Sequence, residues 1–187
     1  MLLTLPFLLI SYSTFCQNNI AVVNKIQGFY IFTDAQPIAE YEVVGEVTTT
    51  GHNDIDIKNS GAQYQSVRDY LIRKARQVNY TAEGLMFSLV NGGTDKAVII
   101  KFKDNADNKN QAKVSRYQGL FLFVDSEPLN ENKYLGTVIS KFSFSSAQYT
   151  ALRDKMIKKC RKDFSEAEGI IIKFISGGTD TGDVIKF

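Results

Sequence analysis

Residues 26–37, Ile26-Gln-Gly-Phe-Tyr-Ile-Phe-Thr-Asp-Ala-Gln-Pro37, have a close match in residues 117–128, Tyr117-Gln-Gly-Leu-Phe-Leu-Phe-Val-Asp-Ser-Glu-Pro128. Both contain a Gln-Gly pair, an apolar and aromatic run, an aspartate and a proline. The apolar run predicts a β-strand, and the aspartate and proline after it predict a turn. Because the pattern occurs twice, the sequence predicts a repeated structural unit.

Further identities extend this repeat along the chain. They are Ala62-Gln-Tyr64 with Ala147-Gln-Tyr149, Arg68-Asp69 with Arg153-Asp154, Ala82-Glu-Gly84 with Ala167-Glu-Gly169, and Lys101-Phe102 with Lys186-Phe187. The separation changes from 91 to 85 residues, so the first copy has six extra residues between Val47 and Ala62. We therefore predict two homologous units, residues 26–102 and 117–187, joined by a polar, solvated linker at residues 103–116.

Each unit has the hydrophobic pattern of a β-β-α-β-β module. The predicted strands are 29–33, 41–49, 85–90 and 98–102 in the first unit, and 120–124, 134–144, 170–175 and 184–187 in the second. An apolar stripe at helical spacing lies between the second and third strands, at Tyr64, Val67, Leu71, Ala75 and Val78, and at Tyr149, Leu152, Met156, Cys160 and Phe164. Gly45 and Gly136 predict a bulge or a close backbone approach.

The fold class that follows is α+β. One amphipathic helix packs on a mostly antiparallel four-stranded sheet in each unit, and the units are arranged as a pseudo-dimer.

Residues 1–16 have the features of a secretory signal peptide. They carry no charge, and the apolar run from Leu2 to Ile10 is too short to span a bilayer. We expect cleavage after Cys16, a mature chain with no transmembrane span, and a periplasmic or secreted location in a Gram-negative-type envelope. Two alternatives are a lipid anchor on Cys16 and an uncleaved anchor that continues through Ile20–Val23.

The composition excludes several functions. The 187 residues include 22 Lys and Arg against 20 Asp and Glu, one His and two Cys, so the net charge is +2. Such a small charge, together with export, argues against nucleic acid as a partner. We predict no metal site and no cofactor, because neither unit repeats a His or a Cys. Cys160 is predicted to be a small core residue.

Ten residues that recur in both units are candidates for a ligand-binding site. They are Gly92, Gly93, Thr94, Asp95, Gly177, Gly178, Thr179, Asp180, Asp34 and Asp125. The Gly-Gly-Thr-Asp turn could hold a ligand, but it lacks the lysine and the following helix of a phosphate-binding loop. A structural interpretation is favoured, in which glycine supplies a positive φ and aspartate caps a tight hairpin. No catalytic residue is assigned.

The two predicted helices are rich in cationic side chains. These are Arg68, Arg73, Lys74 and Arg76 in the first helix, and Arg153, Lys155, Lys158, Lys159, Arg161 and Lys162 in the second. A solvated helix face is the default interpretation, and contact with anionic lipid or glycan is the alternative. An envelope protein or a small ligand is the predicted partner.

The second unit resembles the heavy-metal-binding-like (YbjQ-type) family of small bacterial α+β proteins. The resemblance lies in Tyr134-Leu-Gly-Thr-Val138, the helix rich in Ala, Lys and Arg, and Ala167-Glu-Gly-Ile-Ile-Ile172, with Val43-Val-Gly-Glu-Val47 and Ala82-Glu-Gly84 as the counterparts in the first unit. It implies a compact α+β module that oligomerises through its sheet.

The function predicted from these observations is that of an exported, non-enzymatic binding or structural module of the bacterial cell envelope. One alternative is a hydrolase-type enzyme that uses the carboxylates Asp34, Asp95, Asp125 and Asp180. Another is a weak metal-binding protein, with His52, Asp54 and Asp56 in the loop of the first unit as its only candidate ligands.

Overall fold

The structure is a computed structural model that describes residues 18–49, 62–90, 94–140, 148–175 and 179–187. The first half contains β1 (Ile20–Val23), β2 (Lys25–Ile26), β3 (Phe29–Thr33), β4 (Ala35–Pro37), β5 (Tyr41–Thr48), α1 (Ala62–Val78), β6 (Gly84–Ser88) and β7 (Lys96–Phe102). The second half contains β8 (Gln111–Val114), β9 (Arg116–Tyr117), β10 (Leu120–Val124), β11 (Ser126–Pro128), β12 (Lys133–Ser140), α2 (Tyr149–Asp163), β13 (Gly169–Lys173) and β14 (Asp180–Lys186). The mixed α+β class is confirmed.

Each half contributes a five-stranded sheet, whereas four mostly antiparallel strands were predicted. The strand orders are β2-β3-β6-β7-β5 and β12-β14-β13-β10-β9. The pairs β3–β6 and β10–β13 are parallel, and the other pairs are antiparallel. The extra strand in each sheet, β2 or β9, forms because both residues of the Gln-Gly pair have positive φ, as a two-residue hairpin turn requires.

A third sheet, which we call the shared sheet, joins the two halves. Its order is β11-β1-β8-β4, so two strands come from each half. In antiparallel pairing, β1 lies between β8 and β11, and β8 also pairs with β4. Neither half can form this sheet alone. The strand pairing therefore differs from the predicted arrangement, in which each unit had one self-contained sheet.

Residues 111–114 were predicted to belong to a solvated linker, but they form β8 of the shared sheet. Ala112 and Val114 are buried and face the core, while Lys113 between them is exposed. The strand has only four residues, of which two are polar, and the segment around it is polar as well. The alternation of buried and exposed side chains is therefore too short to predict a strand from the sequence. Residues 20–23, which lie before the predicted first unit, form the equivalent strand β1.

The shared sheet uses one face to cover both five-stranded sheets. Ala21 and Val23 are two residues apart on β1 and point to the same side. Val23 packs in a cluster with Phe32 of the first half, while Ala21 packs with Phe123 of the second. The two five-stranded sheets therefore lie side by side on the shared sheet.

The helices cover the opposite face of the five-stranded sheets. Leu71 of α1 packs in a cluster with Ile31, which is adjacent to Phe32 on β3 and so points away from the shared sheet. Met156 of α2 is in the corresponding cluster with Leu122. The molecule thus has three layers: the helix layer of α1 and α2, the two five-stranded sheets, and the shared sheet.

The predicted helix faces and bulges are confirmed, with two exceptions at the helix ends. Tyr64, Val67, Leu71 and Ala75 are buried, as are Tyr149, Leu152, Met156 and Cys160. Val78, the last residue of α1, is 55% exposed, and Phe164 follows the end of α2 and is only partly buried. The strand register shifts at Gly45 and at Gly136. A Cβ at Gly136 would lie 2.6 Å from the ring of Phe164, so only glycine permits this aromatic contact.

Candidate functional site

Asp34 and Asp125 lie at equivalent positions, where the chain leaves the five-stranded sheet and enters the shared sheet. Asp34 separates β3 from β4, and Asp125 separates β10 from β11. Their φ angles are 49° and 48°, in the left-handed region that aspartate tolerates better than most residues. This backbone turn directs each carboxylate toward the helix of the other half.

The two aspartates bind the helices reciprocally. The Tyr64 hydroxyl donates to Oδ2 of Asp125 at 2.6 Å, and Arg68 Nη1 donates to Oδ1 of Asp125 at 3.1 Å. In the other direction, the Tyr149 hydroxyl donates to Oδ2 of Asp34, and Arg153 Nη1 donates to the same oxygen at 3.2 Å.

We call these six residues, Asp34, Asp125, Tyr64, Tyr149, Arg68 and Arg153, the aspartate network. The two tyrosine rings lie 5.3 Å apart, so the two sets of contacts form one continuous cluster.

The network is mostly buried, and each of its arginines pairs with two carboxylates: Arg68 also binds Asp69 at 3.0 Å, and Arg153 also binds Asp154 at 3.1 Å. The side chains of Arg68 and Asp125 are 12% and 13% exposed. Burial raises the pKa values of Tyr64 and Tyr149 well above the ordinary value of 10.0, and the charge of the neighbouring aspartate raises them further. Burial alone would lower the pKa of Arg68, but the pKa is raised overall, mainly by the negative charge of Asp125. Both tyrosines are thus neutral donors, and neither can act as a base near pH 7.

The network is not fully symmetric. The Tyr64 hydroxyl also lies 2.8 Å from the Thr33 hydroxyl, whereas valine occupies the equivalent position 124 in the second half. Tyr64 stacks on Phe174 with ring centres 4.2 Å apart, and the residue equivalent to Phe174 in the first half is Leu89. Tyr64 therefore has more partners than Tyr149.

A cavity of about 190 Å³ opens beside the Tyr64 side of the network. Its lining is polar and comes from both halves: Asn24 and Gln65 from the first, and Asp125, Ser126, Glu127, Ile171, Ile172, Lys173 and Phe174 from the second. The buried Ser126 hydroxyl has no hydrogen-bond partner, and burial raises the pKa of Glu127. The cavity lies at the carboxyl ends of the parallel strands β10 and β13, the usual place for a ligand in sheets with parallel strands.

Two larger clefts lie at the ends of the five-stranded sheets. Their volumes are about 480 Å³, beside Glu40 and Lys103, and about 410 Å³, beside Glu166 and Lys186. In each cleft the lysine and the glutamate form an exposed salt bridge, of 2.6 Å and 3.0 Å respectively. Such exposed pairs give little energy or selectivity, and we assign these clefts no role.

The predicted hairpin residues lie apart from the network. Asp95 Oδ1 accepts a hydrogen bond from the Val90 amide at 3.0 Å, and Asp180 Oδ1 accepts one from the Ile175 amide at 3.0 Å. Burial raises the pKa of both carboxyls, and the amide bond partly opposes that shift. Thr94 and Thr179 lie beside them, while Gly92, Gly93, Gly177 and Gly178 lie outside the described residues.

Strand β6 separates Asp34 from Asp95, and strand β13 separates Asp125 from Asp180. The structure thus brings Asp34 and Asp125 into one cluster and keeps Asp95 and Asp180 in their own hairpins.

The described residues contain no group of three His, Cys, Asp or Glu side chains with metal-binding geometry. His52 and Cys16 lie outside the described residues. Cys160 is fully buried in α2, and burial raises the pKa of its thiol to about 11, so it is not an activated nucleophile. Within the described part of the chain, neither helix is long and apolar enough to cross a membrane.

The sequence analysis missed four residues of the network: Tyr64, Tyr149, Arg68 and Arg153. It assigned the tyrosines to the apolar helix stripe and the arginines to a basic helix face. A signal was present, because Tyr and Arg recur four residues apart in both helices together with the recurring Asp34 and Asp125. Four residues is about one helical turn, so the pair lies on one side of the helix.

Comparison of the chain with protein-family models, with curated proteins and with solved structures finds no match.

Proposed function

We propose that this protein is an exported, non-enzymatic binding or structural module of the bacterial cell envelope. In this proposal it is built from two homologous units that act as one rigid body. The observation that carries the proposal is the aspartate network: each half supplies the tyrosine and arginine that bind the aspartate of the other.

The reciprocal contacts support an origin as a fused dimer. In a two-fold symmetric dimer every contact occurs twice: if residue i of one subunit contacts residue j of the other, then residue j of the first subunit also contacts residue i of the second. Tyr64 with Asp125 and Tyr149 with Asp34 follow this rule, and so do the β1–β11 and β4–β8 pairs of the shared sheet. Duplication of a gene for a homodimer would place both copies of such an interface in one chain.

The same contacts argue against the hydrolase alternative. A catalytic carboxylate must reach a substrate atom, directly or through one water molecule. Each aspartate of the network already binds a tyrosine and an arginine, and the buried tyrosines retain their protons. These groups therefore hold the two halves together, and they leave no free pair for acid–base chemistry.

Within this module, the cavity between the halves is the proposed site for a small polar ligand. Ser126 supplies an unpaired hydroxyl, and Glu127 supplies a carboxylate for charge recognition. Lys173 also lines the site and is paired with Asp183, while Asn24 and Gln65 connect the site to the first half. A ligand bound there would contact both halves and would favour their association.

A turnover assay tests the non-enzymatic part of the proposal. The purified protein is incubated with chromogenic carboxylic esters, phosphate esters and glycosides, beside the Asp34→Asn/Asp125→Asn variant and the exposed control Asp107→Asn. We expect no hydrolysis above the rate in buffer by any of the three. Hydrolysis that is lost in the double variant but retained in the control, with the double variant still folded by circular dichroism at the assay temperature, would establish the enzyme instead.

Export is tested by fractionation of a Gram-negative host that expresses the full chain. We expect the protein in the periplasmic fraction with Gln17 as its first residue, which the mass of the purified chain reports. A mass that includes a lipid on Cys16 would support the anchored form, and cytoplasmic protein that retains Met1 would contradict export.

A further inference from the structure

The helix layer has a strong positive charge, although the whole chain is nearly neutral. Helices α1 and α2 contain ten of the 22 Lys and Arg residues but only three of the 20 Asp and Glu residues. Their 32 residues therefore carry a net charge of +7, compared with +2 for the whole chain. The rest of the molecule is net negative, so the charge is strongly segregated.

Most of this positive charge faces outward on a single side of the molecule. Arg68 and Arg153 do not contribute to this outer side, because they are mostly buried and bind Asp125 and Asp34 in the aspartate network. The exposed cationic side chains are Arg73, Arg76, Lys155, Lys158, Lys159 and Lys162. Arg73 and Lys158 each lie nine residues after a buried tyrosine, Tyr64 or Tyr149, and at about 100° per residue this puts them on the opposite side of the helix from the core. Because α1 and α2 both cover the face remote from the shared sheet, their cations form one surface.

An exposed aromatic side chain follows the end of α1. Tyr80, in the turn after the helix, is 90% exposed. Tyrosine with an exposed ring is typical of proteins that lie at the boundary between lipid headgroups and acyl chains. An exposed ring beside a cationic surface suits a membrane interface, where the ring enters the headgroup region while the cations meet the phosphate groups.

We propose that the helix layer docks on a membrane surface that contains anionic phospholipids. The cations of α1 and α2 would lie against the phosphate groups, and Tyr80 would enter the interface at one end. This proposal rests on the function proposed above in that it names a partner for the exported module. Binding by purified protein nevertheless tests it whether or not the chain is exported.

The experiment is co-sedimentation of residues 17–187, which include every described residue, with sucrose-loaded vesicles. One set of vesicles is phosphatidylcholine with about a third phosphatidylglycerol, and the other is phosphatidylcholine alone. We expect binding to the anionic vesicles only. We also expect release when the salt rises from about 0.1 M to about 1 M, because the Debye length falls from about 10 to about 3 Å.

Matched variants test whether the helix layer is the surface involved. Arg73→Gln/Lys158→Gln removes two charges from it, while Lys25→Gln/Lys113→Gln removes two exposed charges elsewhere. Lys113 lies on the outer face of the shared sheet, and Lys25 lies over the ring of Tyr30, which packs toward that sheet. We expect about thirtyfold weaker vesicle binding for the first pair and less than about twofold change for the second.

Tyr80→Ser distinguishes the lipid from a soluble polyanion. It should weaken vesicle binding by about threefold and leave elution from a heparin column unchanged. No binding to anionic vesicles by the unmodified protein would overturn the proposal, as would equal losses for the two paired variants. Retention on heparin without any vesicle binding would also overturn it, in favour of a glycan partner.

Discussion

Asp34 and Asp125 cross between the halves of the molecule, whereas Asp95 and Asp180 stay within their own hairpins. All four belong to sequence motifs that occur in both halves, and all four lie at the end of a strand of a five-stranded sheet or directly beside it. The first pair binds a tyrosine and an arginine from the opposite half. The second pair binds a backbone amide five residues away. Recurrence in both halves therefore does not distinguish a residue that joins the halves from one that shapes a local turn.

The difference shows where the stability of the molecule depends on both halves. In the network, each tyrosine and arginine donates to the aspartate of the other half in a mostly buried site, so loss of these contacts affects the whole fold. Each hairpin aspartate instead accepts a hydrogen bond from one backbone amide of its own half. Substitution of a network aspartate should thus lower the free energy of unfolding several times more than the same substitution of a hairpin aspartate.

The largest effect is expected on truncation of the tyrosines in the network. Tyr64→Ala and Tyr149→Ala should each lower the free energy of unfolding by about 3–5 kcal/mol, because each removes a buried ring and leaves an aspartate without its hydroxyl donor. Urea denaturation followed by circular dichroism measures this loss. Tyr80→Ala, at a fully accessible ring, serves as the control and should change stability by less than about 0.5 kcal/mol. Losses below about 1 kcal/mol for both network variants would show that the halves do not depend on this contact.

The aspartates themselves provide a matched comparison, because the same substitution can be made at all four. Asp34→Asn and Asp125→Asn should each cost about 1–2 kcal/mol, because a tyrosine and an arginine lose a charged acceptor in a mostly buried site. Arg153 and Arg68 keep Asp154 and Asp69 as counter-ions, which limits the loss. Asp95→Asn and Asp180→Asn should stay within about 0.5 kcal/mol at pH 7, because the amide oxygen still accepts the backbone bond and the lost charge was disfavoured by burial. Equal costs at all four positions would remove the distinction between the two pairs.

Alkaline pH should weaken the network before it affects the hairpins. The pKa values of Tyr64 and Tyr149 are raised by burial, so the folded protein keeps both protons at a pH where the unfolded chain has begun to lose them. The stability is complete below the unfolded value of about 10 and falls as the pH rises above it, by up to about 1.4 kcal/mol per pH unit for each tyrosine.

Urea unfolding at about pH 9 and about pH 11 should show a loss of about 1 kcal/mol or more that the Tyr64→Phe/Tyr149→Phe variant lacks. An identical pH dependence in that variant would assign the alkaline loss to other groups.

The sequence predicted the parts of this architecture that depend on local periodicity. The helices, the central strands and the bulges at Gly45 and Gly136 follow from apolar spacing and from glycine. The shared sheet was missed because its strands are only three or four residues long and pair with segments of the other half, far away in the sequence. The network was missed for a similar reason: the spacing of Tyr64 predicts burial but does not say that its hydroxyl meets Asp125.

The smallest predicted effect concerns the difference between the two tyrosine hydroxyls. The Tyr64 hydroxyl has one hydrogen, which it donates to Asp125, so the Thr33 hydroxyl must donate to the Tyr64 oxygen. Tyr64→Phe therefore leaves the buried Thr33 hydroxyl unpaired, while Tyr149→Phe has no such consequence because residue 124 is valine. We expect Tyr64→Phe to cost about 0.5–1 kcal/mol more than Tyr149→Phe.

A Thr33→Val background isolates this contribution. With valine at both equivalent positions, the two Tyr→Phe substitutions should cost the same within about 0.3 kcal/mol, as measured in a double-mutant cycle by urea denaturation. The stacking of Tyr64 on Phe174 is retained in every variant of the cycle, because phenylalanine keeps the ring. A difference that persists in the Thr33→Val background would therefore place the asymmetry in the surroundings of the aspartates rather than in the additional hydroxyl of the first half.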